Sequence, residues 1–285
     1  MKSVHRTLRL VRSVALLAPA VTVAVAVAVA VVVLGSSSVR AQTKTKPKAA
    51  LLVAGASDLR AAFEKIGKLF TDQTGTKVTF SFGSSGQLAQ QIRNGAPFDV
   101  FASADVSYVD KVVATGFGDP VTKTTYAYGR LALWTPKTSS TQLRTVSDLA
   151  RDSVKRIAIA SPEHAPYGVA AVQSLKSAGV YSRVSGRLVY GENVSDTYRI
   201  ATSGNADAAL ISLSLVIANS HGGRYTVVPS KDHEPLEQAM VVLGKGARRT
   251  AAKSFVSLVA SPKGRDIMRA YGFLLPGDKG PRSEG

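Results

Sequence analysis

The sequence has 285 residues, of which 45% are hydrophobic and 19% are charged, and its formal net charge is +17. This composition is typical of a packed globular protein and excludes an intrinsically disordered chain. Because the chain contains no cysteine, it has no disulfide framework, thiolate metal site, cysteine nucleophile or lipid-modified N-terminal cysteine.

Residues 1–41 have the features of a secretory signal peptide. Basic residues come first, 21 uncharged residues follow at positions 14–34, and a stretch of small residues ends at Val39-Arg40-Ala41. Cleavage after Ala41 leaves about 244 residues with a net charge of about +12. An uncleaved anchor is the alternative, since 21 apolar residues are long enough to span a bilayer. In both cases the rest of the chain lies outside the cytoplasm, so the predicted location is periplasmic or extracytoplasmic.

The remaining sequence alternates between strand and helix patterns. Residues 42–48 are predicted to be a polar linker, and residues 276–285 a flexible tail. Between them, the predicted strands are 49–54, 77–82, 99–103, 130–135, 157–160, 188–190, 208–211 and 240–243. The predicted helices are 59–71, 87–94, 106–115, 169–178, 195–203, 250–259 and 264–270. This alternation predicts an α/β fold with mainly parallel sheets flanked by helices, and the number of elements favours two lobes.

Two junctions between a strand and a helix carry a serine among small residues. Ser57 lies in Val-Ala-Gly-Ala-Ser-Asp-Leu, and Ser85 lies in Phe-Gly-Ser-Ser-Gly-Gln-Leu. Backbone N–H groups at a helix start are unpaired and favour an anion, and in parallel sheets such junctions meet at the carboxyl ends of the strands. The sequence therefore predicts an oxyanion site here. The alternative is that both serines only cap their own helices.

Two later junctions have a similar pattern. Residues 162–168 contain Tyr167 before a predicted helix, and residues 192–195 contain Val194 before the next one. They can supply further N–H donors and a tyrosine hydroxyl from a second lobe. Ordinary packing is the alternative for Tyr167.

Enzymatic and nucleic-acid functions lack their usual motifs. The sequence has no G-x-S-x-G, no metal-binding histidine spacing and no P-loop. The aromatic content is 7%, without a basic and aromatic block of the kind that binds nucleic acid. An exported serine hydrolase using Ser85 and His164 is kept as the enzymatic alternative.

The serine junctions lie within a segment that resembles the periplasmic molybdate-binding proteins of ABC importers. The resemblance is carried by AGASDLRAAFEKIGKLF and FGSSGQLAQQIRNGAPFDVFASAD. It continues through LALWTPK, SPEHAPYGVAAVQSL, YGENV, GNADAAL and SPKGRDIMRAYGF, and so spans about residues 51–273.

This resemblance implies a two-lobed periplasmic binding protein fold of type II, each lobe a mixed, mostly parallel sheet flanked by helices. Lobe 1 would contain residues 49–128 and 236–275, and lobe 2 residues 129–235. The family holds its oxyanion by hydrogen bonds alone, without a cofactor, enzymatic activity or direct metal–protein bond. Ser57, Ser85, Tyr167 and Val194 match the ligand positions. The implied partner is an ABC permease in the inner membrane, and the expected state is a monomer.

Two residues depart from the family pattern. Ser212 stands where some members have a ligand tyrosine, and Tyr167 is expected to supply that hydroxyl instead. Asp58 is unexpected beside an anion. Molybdate and tungstate are fully deprotonated at neutral pH and need only donors, whereas phosphate carries a proton and needs an acceptor. Asp58 therefore keeps phosphate open as an alternative. Sulfate also stays open, because it differs from molybdate only in its smaller size and the sequence does not give the size of the cavity.

Overall fold

A computed structural model of the chain describes residues 49–139, 141–244 and 247–278. The predicted signal peptide, the linker at 42–48 and the last residues of the predicted tail lie outside this range. In the described ranges, no helix has both the length and the apolar character needed to cross a bilayer.

One five-stranded sheet is built from the two ends of the described chain. Its strands are β1 (Leu51–Ala56), β2 (Val78–Gly83), β3 (Val100–Ser103), β4 (Thr124–Gly129) and β10 (Leu236–Val242), in the order β2-β1-β3-β10-β4. β1 pairs in parallel with β2 and β3, and β10 is antiparallel to β3 and β4. We call this sheet and its helices lobe 1. The helices are α1 (Arg60–Thr74), α2 (Ser85–Arg93), α3 (Val106–Ala114), α8 (Ala247–Ala260) and α9 (Pro262–Ala270).

Apolar side chains fill both faces of the first sheet. On one face, the ring of Phe63 lies 5.8–6.2 Å from the rings of Phe80, Tyr126 and Phe255. The other face is covered by α2 and α3, whose buried apolar residues pack on Phe101. Helix packing on both faces fixes the strand ends from which α1 and α2 begin.

The middle of the chain forms a second sheet, which with its helices we call lobe 2. Its strands are β5 (Leu131–Pro136), β6 (Ile157–Ala160), β7 (Leu188–Gly191), β8 (Ala208–Ser212) and β9 (Gly223–Val227), in the order β7-β6-β8-β5-β9. β6 is parallel to β7 and β8, and β5 is antiparallel to β8 and β9. Its helices are α4 (Pro166–Ser177), α5 (Tyr181–Val184), α6 (Val194–Thr202) and α7 (Leu213–Ala218).

The two sheets have the same arrangement, in which four strands run in one direction and one strand, β10 or β5, runs in the opposite direction. The chain passes from the first sheet to the second at Arg130 and returns through residues 228–235. The predicted α/β class, with two mixed sheets flanked by helices, is confirmed. Antiparallel pairing is more extensive than the sequence predicts, because β10 and β5 run against both of their neighbours, and two of these neighbours, β4 and β9, are strands that the pattern did not reveal.

Candidate functional site

The four predicted site residues lie at four strand-to-helix junctions, two in each lobe. β1 and β2 are neighbours whose last residues, Ala56 and Gly83, pair in register. β6 and β7 are neighbours whose last residues, Ala160 and Gly191, also pair in register. Each lobe therefore presents two adjacent helix starts at one edge of its sheet.

Ser57 follows β1 directly and begins a short 3-10 turn that leads into α1. It is 4% exposed, and its hydroxyl has no hydrogen-bond partner in the part of the chain that the structure describes. The N–H of a residue at the start of a helical turn has no acceptor within that turn. Ser57 thus offers two donors, its hydroxyl and its backbone N–H, and neither is used within its own helical turn.

Ser85 is the first residue of α2 and is completely buried. Its Oγ accepts a hydrogen bond of 2.9 Å from the N–H of Ala104, so its own proton is left for another acceptor. The cap of α2 is Ser84, whose Oγ accepts from the N–H of Gln87 at 3.4 Å. The serine that caps α2 is therefore Ser84, and the hydroxyl proton of Ser85 remains available to a ligand.

Lobe 2 contributes Tyr167, the second residue of α4, and Val194, the first residue of α6. Both are buried. Asn193 caps α6 by accepting from the two N–H groups that follow Val194, at 3.0 and 3.1 Å. The N–H of Val194 is not used by that cap, and it points outward from the helix start.

Direct contacts between the lobes bring these junctions together. Ser195 Oγ donates to the carbonyl of Ser57 at 3.1 Å, which places the start of α6 against the first junction. The N–H of Gly86 donates to the carbonyl of His164 at 2.9 Å, which places α2 against the loop before α4. All four predicted residues are buried, and these contacts place their junctions in the region where the lobes meet, which we call the crevice.

A buried hydrogen-bond network also joins the lobes at Asp58. Its Oδ2 accepts from Tyr167 Oη at 3.0 Å and from Gln238 Nε2 at 2.6 Å, and Oδ1 has no partner among the described residues. Ser214 Oγ donates to the Asp58 carbonyl at 2.7 Å. Burial raises the pKa of Asp58 to about 6, although the bonds from Gln238 and Tyr167 act in the opposite direction.

The structure also gives the contacts of Tyr167 and Ser212. The hydroxyl of Tyr167, expected to face the ligand, donates to Asp58 instead, because the two side chains are buried together where the lobes meet. Burial, followed by the charge of Asp58, raises the pKa of Tyr167 well above its ordinary value. Ser212 caps α7 by accepting from the N–H of Leu215 at 3.4 Å and has no role in the crevice contacts beyond its bond with Ser214.

The geometry does not support the hydrolase alternative. His164 Nδ1 lies 2.9 Å from the Oγ of Ser84, not of Ser85, and its Nε2 lies 3.8 Å from a carboxylate oxygen of Glu192. Ser84 is the helix cap, and this contact joins the two lobes. The predicted pair of Ser85 and His164 is therefore wrong.

Several site residues were missed by the sequence patterns. Gln238 is a buried amide in the mainly apolar strand β10, directly after Glu237, and the polar pair at the start of that strand was the available signal. Tyr126 Oη lies 3.0 Å from Gln238 Oε1 and so extends the network through β4. Ser214 gave no signal, because its partner is a backbone carbonyl in the other lobe.

The crevice is electrically neutral apart from Asp58. Within the described ranges, no lysine or arginine makes a hydrogen bond or ion pair with Ser57, Ser85, Tyr167 or Asp58. The same ranges contain no group of three histidine or acidic residues able to hold a metal ion. Hydroxyl and amide donors at helix starts can hold a small oxyanion without a cationic side chain.

Comparison with known proteins gives consistent matches. Residues 51–274 match the family described as bacterial extracellular solute-binding protein. The molybdate-binding protein ModA of Rhodobacter capsulatus is 37% identical over 230 residues, covering 80% of this chain and 90% of that protein. The corresponding protein of Azotobacter vinelandii is 35% identical over 229 residues, with the same coverage.

A solved structure supports the same relationship. The structure of the Azotobacter vinelandii periplasmic molybdate-binding protein superimposes with a TM-score of 0.75 and 33% sequence identity. The match covers 79% of this chain and 99% of the other. The similarity therefore includes both lobes.

Proposed function

This chain belongs to the bacterial extracellular solute-binding protein family, and we propose that it captures molybdate between its lobes and delivers it to an ABC permease. It is a binding protein and not an enzyme, in keeping with its molybdate-binding relatives. The observation that carries the proposal is the convergence of four helix starts with uncharged donors from both lobes. Because these donors meet only when the lobes are together, the anion favours the closed arrangement.

The proposed ligand residues are Ser57, Ser85, Tyr167 and Val194. The two serines supply hydroxyl protons and backbone N–H groups, and Val194 supplies its N–H. Tyr167 supplies its N–H from the first turn of α4, in addition to its hydroxyl. Molybdate is fully deprotonated at neutral pH, so donors alone satisfy it, and tungstate, almost equal in size, should bind in the same way.

The location and boundaries are part of the same proposal. We place the signal peptide at 1–41 and the protein in the extracytoplasmic space as a monomer, with a permease in the inner membrane as its partner. We place lobe 1 at 49–128 and 236–275 and lobe 2 at 129–235. The passage between the two sheets at Arg130 and through 228–235 supports these bounds.

Hydrogen phosphate is the second candidate ligand, on the basis of one observation. The unpartnered Oδ1 of Asp58 is a buried acceptor that a protonated oxyanion can use. Titration calorimetry with molybdate, tungstate, sulfate and phosphate in turn tests the choice. We expect saturable one-to-one binding that is tightest for molybdate and tungstate. Tighter binding of phosphate than of molybdate would identify phosphate as the ligand instead.

Ser57→Ala is expected to weaken molybdate binding roughly ten- to a hundred-fold without lowering the stability of the free protein. A hydrogen bond to a charged group contributes roughly 1.5–3 kcal/mol, and the Ser57 hydroxyl has no protein partner to lose. Ser85→Ala should lower both affinity and stability, because it also leaves the N–H of Ala104 unpaired. Calorimetry and thermal melting measure the two effects.

Ser107→Ala is the matched control for both variants. Ser107 is an exposed serine in the first turn of α3, in the same lobe. Its substitution should change neither affinity nor melting temperature. An unchanged dissociation constant in Ser57→Ala would remove Ser57 from the ligand set.

A further inference from the structure

The carboxyl group of Asp58 is buried in the crevice without a cationic partner. Asp58 is 2% exposed, and it lies next to the proposed ligand residue Ser57. The two side chains that donate to it, Tyr167 and Gln238, are neutral, as are the nearby backbone N–H groups of Asp58 and Leu59. A carboxylate in this place would repel a doubly charged oxyanion at short range, in a region with little water to screen the repulsion.

The charged groups on the surrounding elements do not neutralise this carboxyl. The titratable groups that face it are Tyr167 on α4 and Tyr126 on β4, and both are uncharged at neutral pH. β10 and α7 present Gln238 and Ser214. The carboxylate of Glu237, also on β10, accepts from Thr125 instead, and β2 has no charged residue. On α1 and α6, the nearby charges form surface pairs of their own, Arg60 with Glu64 and Arg199 with Asp196.

The proton of the Tyr167 hydroxyl sets a second constraint. A tyrosine hydroxyl has one proton to donate, and here that proton goes to Asp58 Oδ2. It cannot be given to an anion at the same time. If Asp58 were protonated, the same contact would work in the other direction, with the carboxyl donating and the tyrosine oxygen accepting.

We propose that Asp58 takes up one proton from solvent when the doubly charged oxyanion binds, and that it then donates this proton to Tyr167 Oη. The hydroxyl proton of Tyr167 is thereby released to the anion, while Gln238 continues to donate to Asp58. Asp58 is in this sense a positioning residue that acts through Tyr167 and makes binding depend on pH. The inference rests on the proposed function.

The titration of Asp58 is compatible with this step. Burial already raises its pKa to about 6 in the absence of an anion. A nearby dianion disfavours the charged form of a carboxyl and raises its pKa further. At about pH 8 the free protein has Asp58 mostly ionised, and the loaded protein has it protonated, so the proton must come from solvent.

The test is the number of protons taken up per molybdate bound, measured by calorimetry at about pH 8 in buffers of different ionisation enthalpy. We expect a value approaching one for the natural protein and zero for Asp58→Asn. The dissociation constant of the natural protein should rise up to about tenfold per pH unit above neutrality. That of Asp58→Asn, which stays uncharged, should remain constant and be lower than the natural value at high pH.

Asp72→Asn is the control, because Asp72 is an exposed carboxyl on α1 that pairs with Lys68. It should keep the natural proton number. Molybdate binding by the natural protein without proton uptake would overturn the inference and leave the proposed function intact. A folded Asp58→Asn protein that binds no molybdate at any pH would also overturn it, since an uncharged residue of the same shape should suffice. Absence of molybdate binding by the natural protein would instead overturn the proposed function.

Discussion

Gly86→Ala is expected to weaken molybdate binding by roughly ten- to a hundred-fold while leaving both lobes folded. A Cβ at this position would lie 2.7 Å from the carbonyl oxygen of His164 and 3.0 Å from its Cα. Gly86 belongs to α2 in lobe 1, and His164 precedes α4 in lobe 2. The added Cβ would therefore clash with the backbone of the other lobe. This clash is relieved only if the two lobes move apart.

The magnitude follows from overpacking in a well-packed contact, which costs about 1–3 kcal/mol. Within lobe 1 alone, the substitution should slightly stabilise α2. Alanine is favoured over glycine inside a helix by roughly 0.5–1 kcal/mol, and Gly86 does not have a positive φ. Weaker binding by a protein whose two lobes remain folded is the expected signature.

Gly83→Ala is the matched control for this prediction. Gly83 lies three residues earlier, and a Cβ there would contact only the Leu88 side chain, at 3.5 Å or more. Calorimetry should give a natural affinity for the control and a reduced one for Gly86→Ala. Small-angle scattering without molybdate should show a larger radius of gyration for Gly86→Ala than for the control. An unaltered affinity in Gly86→Ala would mean that the anion is held without this approach of α2 to the His164 loop.

Most of the architecture of each lobe was predictable from the sequence, because glycine residues mark the C-terminal ends of several helices. Gly75 caps α1 with a φ of 67°, and Gly116, Gly179 and Gly204 follow their helices with similar positive values. Glycine adopts this conformation without strain, so its position marks a helix end reliably. Together with apolar periodicity, these endings located the helices to within a few residues.

The elements that were missed have weak local patterns. The residues of β9 are mostly exposed, and the strand lies at the edge of its sheet, so its sequence GRYTV lacks a continuous apolar run. α7 is the short apolar segment LSLVIA, for which periodicity does not distinguish helix from strand. Their structure is determined by pairing with β5 and by packing, which are tertiary contacts.

The candidate site was predictable within each lobe but not between lobes. Parallel neighbours end at the same sheet edge, so two serine junctions on β1 and β2 had to lie together. No local pattern connects Asp58 with Tyr167, 109 residues away, or with Gln238, 180 residues away. The partner of His164 was misassigned for the same reason, since Ser84 and Ser85 differ only in orientation.

Asp58→Asn is expected to change the pH dependence of stability in the unliganded protein by roughly 3 kcal/mol. The pKa of Asp58 is about 6 in the folded protein, against an ordinary value of 3.8. Folding therefore favours the protonated form, and each unit of difference is equivalent to about 1.4 kcal/mol. The stabilisation is fully present below about pH 4 and is lost as the pH rises through about 6, after which it stays constant.

Urea unfolding of the natural protein and of Asp58→Asn, measured without oxyanion from about pH 4 to about pH 7, tests this expectation. The free energy of unfolding of the natural protein should fall relative to the variant across that interval, because only the natural protein must bury a carboxylate at the upper end. Asp72→Asn, which removes an exposed carboxyl of the same lobe, should run parallel to the natural protein. If the Asp58→Asn curve also ran parallel, the Asp58 carboxyl would be hydrated in the unliganded protein, and its contacts with Tyr167 and Gln238 would form only when an anion closes the lobes.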